Sequence, residues 1–304
     1  MGFRRRVGSA SSGSGSASRG QLDAMQEKSL SLGPEFGDLE LAWLDWGDPQ
    51  ATRTVVCVHG ITRNAHDFDF LAAALAARGC RVIVIDVAGR GRSGWLADPG
   101  QYIVPVYAAQ IARLLERLGL RGVDWIGTSM GGLIGMALAA GENPPMDRLV
   151  INDVGPLVSG ASRSRIRSYI GLDLLFANMA ELEAHLRQIH ASFGPLTDGQ
   201  WRHLALHSSR ATPEGLRLHY DPQIRVPFLA EGEEDIDLWE VWDRICCPTL
   251  VLHGTESVLL TADILQQMRT RGPAVEVVSF AGVGHAPALM SEDQIGVVAG
   301  WLLG

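Results

Sequence analysis

Apolar residues in this chain fall in short unbroken runs, separated by stretches whose apolar positions recur at helical spacing. Six runs read as strands: "TVVCV" from Thr54, "RVIVID" from Arg81, "VDWIG" from Val123, "RLVIND" from Arg148, "PTLVLHG" from Pro248 and "VEVVSF" from Val275. Continuous Val, Ile and Leu suit strands covered on both faces. Between them, "FDFLAAALAARG" and "YAAQIARLLERLGL" have the helical pattern, and each stops near Gly79 or Gly119, as a helix C-terminus would. Strands alternating with helices predict an α/β protein with a mostly parallel, doubly wound sheet.

The alternation breaks between Gly155 and Ile245. That insert reads as helical, with Leu182, Leu186, Ile189 and Phe193 on one stripe, and it contains no convincing buried strand. Ligands bind beyond the carboxyl ends of parallel strands, so a helical insert there would act as a cap and shape a pocket. The alternative is an insert that only covers apolar sheet surface. The expected organisation is a flexible tail over 1–28, a core over 29–154 and 246–304, and a helical cap over 155–245.

Composition changes this picture little. The 304 residues are 46% hydrophobic, enough for a sizeable core. No apolar run approaches the ~20 residues of a membrane helix, and the N-terminus lacks the apolar core of a secretory signal. A cytoplasmic protein that does not engage a membrane is expected. The opening "MGFRRRVGSASSGSGSASRG" is rich in Ser, Gly and Arg and reads as a disordered extension, or else as a transit-like or surface-binding arm. Without its four arginines, 22 basic residues face 34 acids, a balance of −12 that argues against nucleic acid. Cys57, Cys80, Cys246 and Cys247 have neither metal-type spacing nor a disulfide-dense pattern, which fits a reducing compartment.

The candidate chemistry centres on "GTSMGG". Gly127-Thr128-Ser129-Met130-Gly131 fits G-x-S-x-G between a strand-like and a helix-like run. Small flanking residues permit a strained turn that lifts the serine hydroxyl above the sheet, against a helix N-terminus. "DVAGRGRSG" formally matches a dinucleotide fingerprint through Gly89, Gly91 and Gly94, but "WLADPG" after it is a poor helix opening. It reads as a tight loop beside the site, anchored by Asp86. No phosphate loop and no H-E-x-x-H occur.

An anion site is suggested by "VCVHGITRN". Gly60 allows a sharp turn that aims the Ile61 amide at the serine's substrate, and the Met130 amide would be the second donor of an oxyanion hole. The base is expected at His285 in "FAGVGHAPALM", the one histidine in a glycine-rich loop after the last strand. His185, His190, His203, His207 and His219 fall in the insert, on solvated faces or a pocket wall; His59 and His253 close strands and read as structural.

With these motifs, the chain from about Leu39 onward resembles an α/β-hydrolase with a helical cap: His59-Gly60, the GTSMGG elbow and the late GHAP histidine carry the likeness. The resemblance implies a cap between strands six and seven, where the insert lies. Haloalkane dehalogenases and epoxide hydrolases of this fold carry an aspartate at the elbow, and Ser129 argues against both.

Most relatives place the triad acid just after strand seven. Here Ser257 and Val258 stand in that segment, with Glu256 adjacent. A minority draw it from the end of strand six, where "INDVGP" offers Asp153; a structural turn aspartate is the alternative for that residue. The expected triad is Ser129, His285 and Asp153, with Glu256 second for the acid.

The expected activity is hydrolysis of a carboxylic ester of a small or medium apolar substrate through an acyl-enzyme, with no cofactor and no metal. Cleavage of an amide or of a carbon–carbon bond beside a ketone would use the same residues, and a non-catalytic binding module would lack the acid. Arg63 could meet a substrate carboxylate or form a surface ion pair. Trp95, Met130, Tyr169 and Trp201 are candidates for pocket walls or for ordinary core. The partner is a small-molecule substrate, and the sequence leaves oligomeric state open.

Overall fold

The computed structural model describes residues 25–230, 232 and 234–304. Most of the expected N-terminal tail lies outside the described residues. Its last four positions do not: residues 25–28 are paired in a strand.

Eight strands form one sheet: β1 (Met25–Ser31), β2 (Glu40–Trp46), β3 (Thr54–Val58), β4 (Arg81–Ile85), β5 (Val123–Thr128), β6 (Met146–Asn152), β7 (Thr249–Gly254) and β8 (Val275–Phe280). Their spatial order is β1-β2-β4-β3-β5-β6-β7-β8. The β1/β2 and β2/β4 pairs are antiparallel, and the pairs among β3 to β8 are parallel. All six apolar runs became the parallel strands. The two antiparallel strands lie outside the runs because "MQEKSLS" is mostly polar and "ELAWLDW" mixes Glu and Asp into its apolar positions, as an antiparallel edge permits.

Alternation along the strands divides the core. Val56, Val58, Ile83, Ile85 and Trp125 face one layer, while Val55, Cys57, Val82, Val84 and Ile126 face the other. The first layer is closed by α2 (Val104–Arg117) and α3 (Met130–Ala139), the second by α1 (Asp69–Ala76) and by α8 (Glu292–Leu303). Each fully buried Val, Leu or Ile contributes on the order of 1.5–3 kcal/mol, so residues missing from either layer would loosen the strand ends that hold the site.

The insert between β6 and β7 is mainly helical, with α4 (Gly160–Tyr169), α5 (Met179–Ile189) and α6 (Asp198–His207). It also contains a half-buried antiparallel pair, Ser209–Thr212 with Gly215–Leu218, which forms no unbroken apolar run. The insert is pinned to the core by polar contacts. Tyr102 Oη donates to Asp221 at 2.6 Å, Asn64 Nδ2 donates to the His207 carbonyl at 2.9 Å, and Gln200 Nε2 donates to the Met290 carbonyl at 3.0 Å. Past the insert, α7 (Ala262–Met268) follows β7. Among the described residues no helix is long and apolar enough to cross a membrane.

Candidate active site

Every parallel strand that carries a candidate group delivers it at its carboxyl end. Ser129 follows β5, Asp153 follows β6, and the loop with His285 follows β8. Two glycines shape the serine turn: a Cβ on Gly127 would fall on the Gly131 carbonyl, and one on Gly131 would fall on the Val58 carbonyl. The strand therefore turns into α3 at van der Waals contact with β3. Ser129 is held at φ 52° and ψ −112°, a conformation L-residues rarely adopt, which leaves its hydroxyl outside the helix ladder.

Three side chains remote in sequence meet there. Ser129 Oγ lies 2.9 Å from His285 Nε2, and His285 Nδ1 lies 2.8 Å from Asp153 Oδ2. A carboxylate only accepts, so Nδ1 carries the proton and Nε2 is left to accept from the serine hydroxyl. Asp153 is fully buried. Its charge is met by three donors: the Gly254 amide at 2.9 Å on Oδ1, and Ser257 Oγ at 2.6 Å and the imidazole on Oδ2. Ser257, which stands where most relatives place the acid, thus donates to the acid supplied by the neighbouring strand. Glu256 is exposed and is not brought to His285 by any hydrogen bond.

The anion-site candidates flank the serine. Gly60 turns beside it, since a Cβ there would sit 3.8 Å from Ser129 Cβ, and Ile61 lines the same cavity. Met130 is the first residue of α3, so its amide is one of the helix's unpaired N-terminal donors. Among the described residues no acceptor takes up the Ile61 or Met130 amide.

Arg90, which sequence reasoning left inside the glycine loop, braces both. Its fully buried guanidinium donates from Nε to the Ile61 carbonyl at 2.9 Å and from Nη1 to the Ala88 carbonyl at 2.8 Å and Tyr107 Oη at 2.7 Å. Its Nη2 lies 3.8 Å from Met130 Sδ. Nothing local marks an arginine as buried; its signal was only its place in a loop too tight to be a phosphate cradle. That loop is anchored as expected, because Asp86 accepts from the Ala65 and Arg92 amides at 2.7 and 3.0 Å. Burial pushes the Asp86 carboxyl up to about 6 against those two bonds.

A cavity of about 200 Å³ opens over Ser129 and His285. This is below the ~300–1,000 Å³ of clefts that take drug-sized ligands. Its walls come from the core at Ile61 and Leu259 and from the insert at Ile166, Tyr169, Ile189 and Phe193. The insert also fixes the histidine loop: Ser192 Oγ donates to the His285 carbonyl at 2.7 Å, and the Gly284 amide donates to the Ser192 carbonyl at 2.8 Å. His190 lines the cavity stacked on Phe193, and burial keeps its pKa well below the usual value, so it is neutral.

Of the other expected wall residues, Tyr169 is at the cavity. Trp201 instead packs in a separate cluster with Leu204 and Met290. Trp95 is half exposed under Arg210, and the Met130 side chain points into the core. Arg63 forms an ion pair, with Nε and Nη2 on Asp67 at 2.9 and 2.6 Å, but the pair is buried at the cavity and not at the surface as expected.

His59 is a structural group: its Nε2 accepts from the Val87 amide at 3.0 Å and its Nδ1 meets the Gly60 carbonyl at 2.7 Å. The strongest metal-type cluster among the described residues, His66, Asp69 and His207, lies away from this cavity. Their ligand atoms all lie within 4.8 Å of one another, and the His66 and His207 rings stack 3.7 Å apart with 23° between planes.

Comparison with known proteins identifies the family. The model of the α/β-hydrolase fold family matches residues 53–290. A 3-hydroxybutyrate-oligomer hydrolase of Cupriavidus necator is 43% identical over 273 residues, covering 87% of this chain and 93% of that protein. An sn-1-specific diacylglycerol lipase of Mus musculus is 30% identical over 273 residues, 84% of each. Among solved structures, an α/β hydrolase from Novosphingobium aromaticivorans superposes with a TM-score of 0.81 at 32% identity, covering 92% of this chain and 98% of that one.

Proposed function

Because this chain belongs to the α/β-hydrolase fold family, we propose that it is a serine hydrolase of carboxylic esters, acting on short oligomers of a hydroxy acid such as 3-hydroxybutyrate. The observation that carries the reading is the continuous relay from Ser129 Oγ through both nitrogens of His285 to the buried Asp153. The small cavity favours a substrate built of short units, and the 43% identical relative supplies the substrate class.

In this mechanism His285 Nε2 takes the Ser129 proton as Oγ attacks the ester carbonyl. The Ile61 and Met130 amides receive the developing oxyanion, each worth ~10²- to 10³-fold in rate by comparison with other acyl-transfer enzymes. The protonated imidazole, held by Asp153, returns the proton to the leaving alcohol. Water then enters, His285 removes its proton, and the acyl-enzyme is hydrolysed.

The test is covalent. A fluorophosphonate is expected to label one site, Ser129, and to abolish turnover of p-nitrophenyl butyrate and of a linear 3-hydroxybutyrate trimer. In Ser129→Ala, labelling is expected to vanish and kcat to fall by ~10³-fold or more. Persistent turnover near the wild-type rate in that variant rules the mechanism out.

A further inference from the structure

We infer that Arg165, on the cap helix α4, binds the free carboxylate of a hydroxy-acid oligomer, so that the ester nearest the acid end is presented to Ser129. This rests on the ester-hydrolase reading above and adds to it which end of the chain is recognised.

The argument begins with charge. Two guanidinium groups line the cavity, Arg63 and Arg165. Arg63 is only 5% exposed and already holds the Asp67 carboxylate with two hydrogen bonds, so its charge and its fork are occupied. Arg165 is exposed, and no hydrogen bond or ion pair engages its side chain among the described residues. It is therefore the cavity's unpaired cation.

Its position follows from the helix. Ser162, Arg165, Ile166 and Tyr169 all line the cavity, and their spacing of three, four and seven residues is one stripe of α4. Arg165 thus stands on the face that looks toward Ser129, beside apolar side chains that suit the methyl and methylene groups of a hydroxybutyrate unit. A planar guanidinium pairs with a carboxylate through two parallel N–H···O bonds, a geometry an ammonium does not offer.

Glu256 also lines the cavity and opposes an anion there. It is exposed, so water screens it, and its removal should act in the direction opposite to removal of Arg165.

The chemistry that results is directional. With the acid end held, the ester C–O bond next to it breaks as the bond from Ser129 Oγ to the acyl carbon forms. The leaving hydroxybutyrate oxygen takes the proton from His285, and the acyl group that remains carries the hydroxyl end of the oligomer. One hydroxy acid is thus released per turnover from the carboxyl end.

The experiment compares a linear 3-hydroxybutyrate trimer as its free acid with the same trimer as its methyl ester, with active sites counted by fluorophosphonate. Arg165→Ala is expected to raise KM for the free acid about ten-fold more than for the methyl ester, in line with loss of a charge-assisted pair. Arg165→Lys should fall between, Glu256→Gln should lower KM for the free acid, and the monomer should be the first product from the free acid, released in the acylation burst ahead of the dimer. Equal changes in KM for the two trimers in Arg165→Ala, or a dimer acid as first product, overturn the inference while leaving ester hydrolysis standing. Absence of phosphonate labelling, or of turnover of either trimer by the wild-type protein, defeats both.

Discussion

The acid of the relay can be moved, and the distances say where. In Asp153→Asn the new amide cannot satisfy its surroundings in either orientation. With its nitrogen toward His285, an NH2 group meets the imidazole N–H and the Ser257 hydroxyl; with its nitrogen the other way, it meets the Gly254 amide, which donates to Oδ1 in the native protein. In the first orientation the imidazole loses the acceptor that fixes its tautomer, and in both it loses the negative charge that steadies its protonated form. In a serine protease that exchange slows turnover ~10⁴-fold, about 5.4 kcal/mol at 1.36 kcal/mol per decade. We expect a fall of ~10³- to 10⁴-fold in kcat here.

The rescue is Ser257→Asp in an Asp153→Ala background, where truncation empties the space of the carboxylate. Ser257 Oγ and His285 Nδ1 both contact the same oxygen, at 2.6 and 2.8 Å, so a carboxylate one atom longer at position 257 reaches the space that Oδ2 occupies. The double variant should regain at least ~10-fold in kcat, whereas Ser257→Asp alone sets two carboxylates in contact in a buried site and should lose activity. The assay is p-nitrophenyl butyrate hydrolysis per titrated active site, with circular dichroism on each variant. A folded Asp153→Asn protein within ten-fold of wild type, or a folded double variant no faster than Asp153→Ala, refutes the account of the acid.

Two further outcomes follow from groups outside the relay. Arg90→Met removes the bonds that hold the Ile61 carbonyl, and should lower kcat by ~10- to 100-fold while shifting KM less, with the rate of phosphonate labelling falling in parallel; unchanged labelling would mean the loop holds itself. Burial lowers the His59 pKa to about 4 from its ordinary 6.5, so the folded protein favours the neutral ring. Its contribution is full above pH 6.5 and is lost as pH falls toward 4, at ~1.4 kcal/mol per pH unit. Urea unfolding at pH 7.5 and pH 5.0 should differ by ~2 kcal/mol from this residue, and the buried, neutral His190 acts in the same direction. A pH-independent midpoint would contradict this.

Much of this protein was legible in its sequence because the signals were local. Unbroken apolar runs announced the six strands covered on both faces, since a strand buried on two sides has no polar position to spare. The turn at Ser129 was legible because only glycine allows β5, α3 and β3 to approach so closely, and His285 because a glycine-rich loop after the last strand was its one suitable setting. The antiparallel strands β1 and β2 were not, because β1 is mostly polar with an exposed face and β2, though buried, breaks its apolar run at Asp45.

Tertiary structure decided what depends on distance between remote residues. Chain position alone left Asp153 and Glu256 both open as the acid; in the fold β6 lies directly beside β7, which buries Asp153 against Gly254, Ser257 and His285 and leaves Glu256 in solvent. Arg63, Arg90 and Arg165 are alike as letters. Packing gave the first an ion pair with Asp67, set the second beneath the Ile61 loop and left the third unpaired in the cavity. An arginine's role is set by which groups surround its charge, and that is fixed only when the chain has folded.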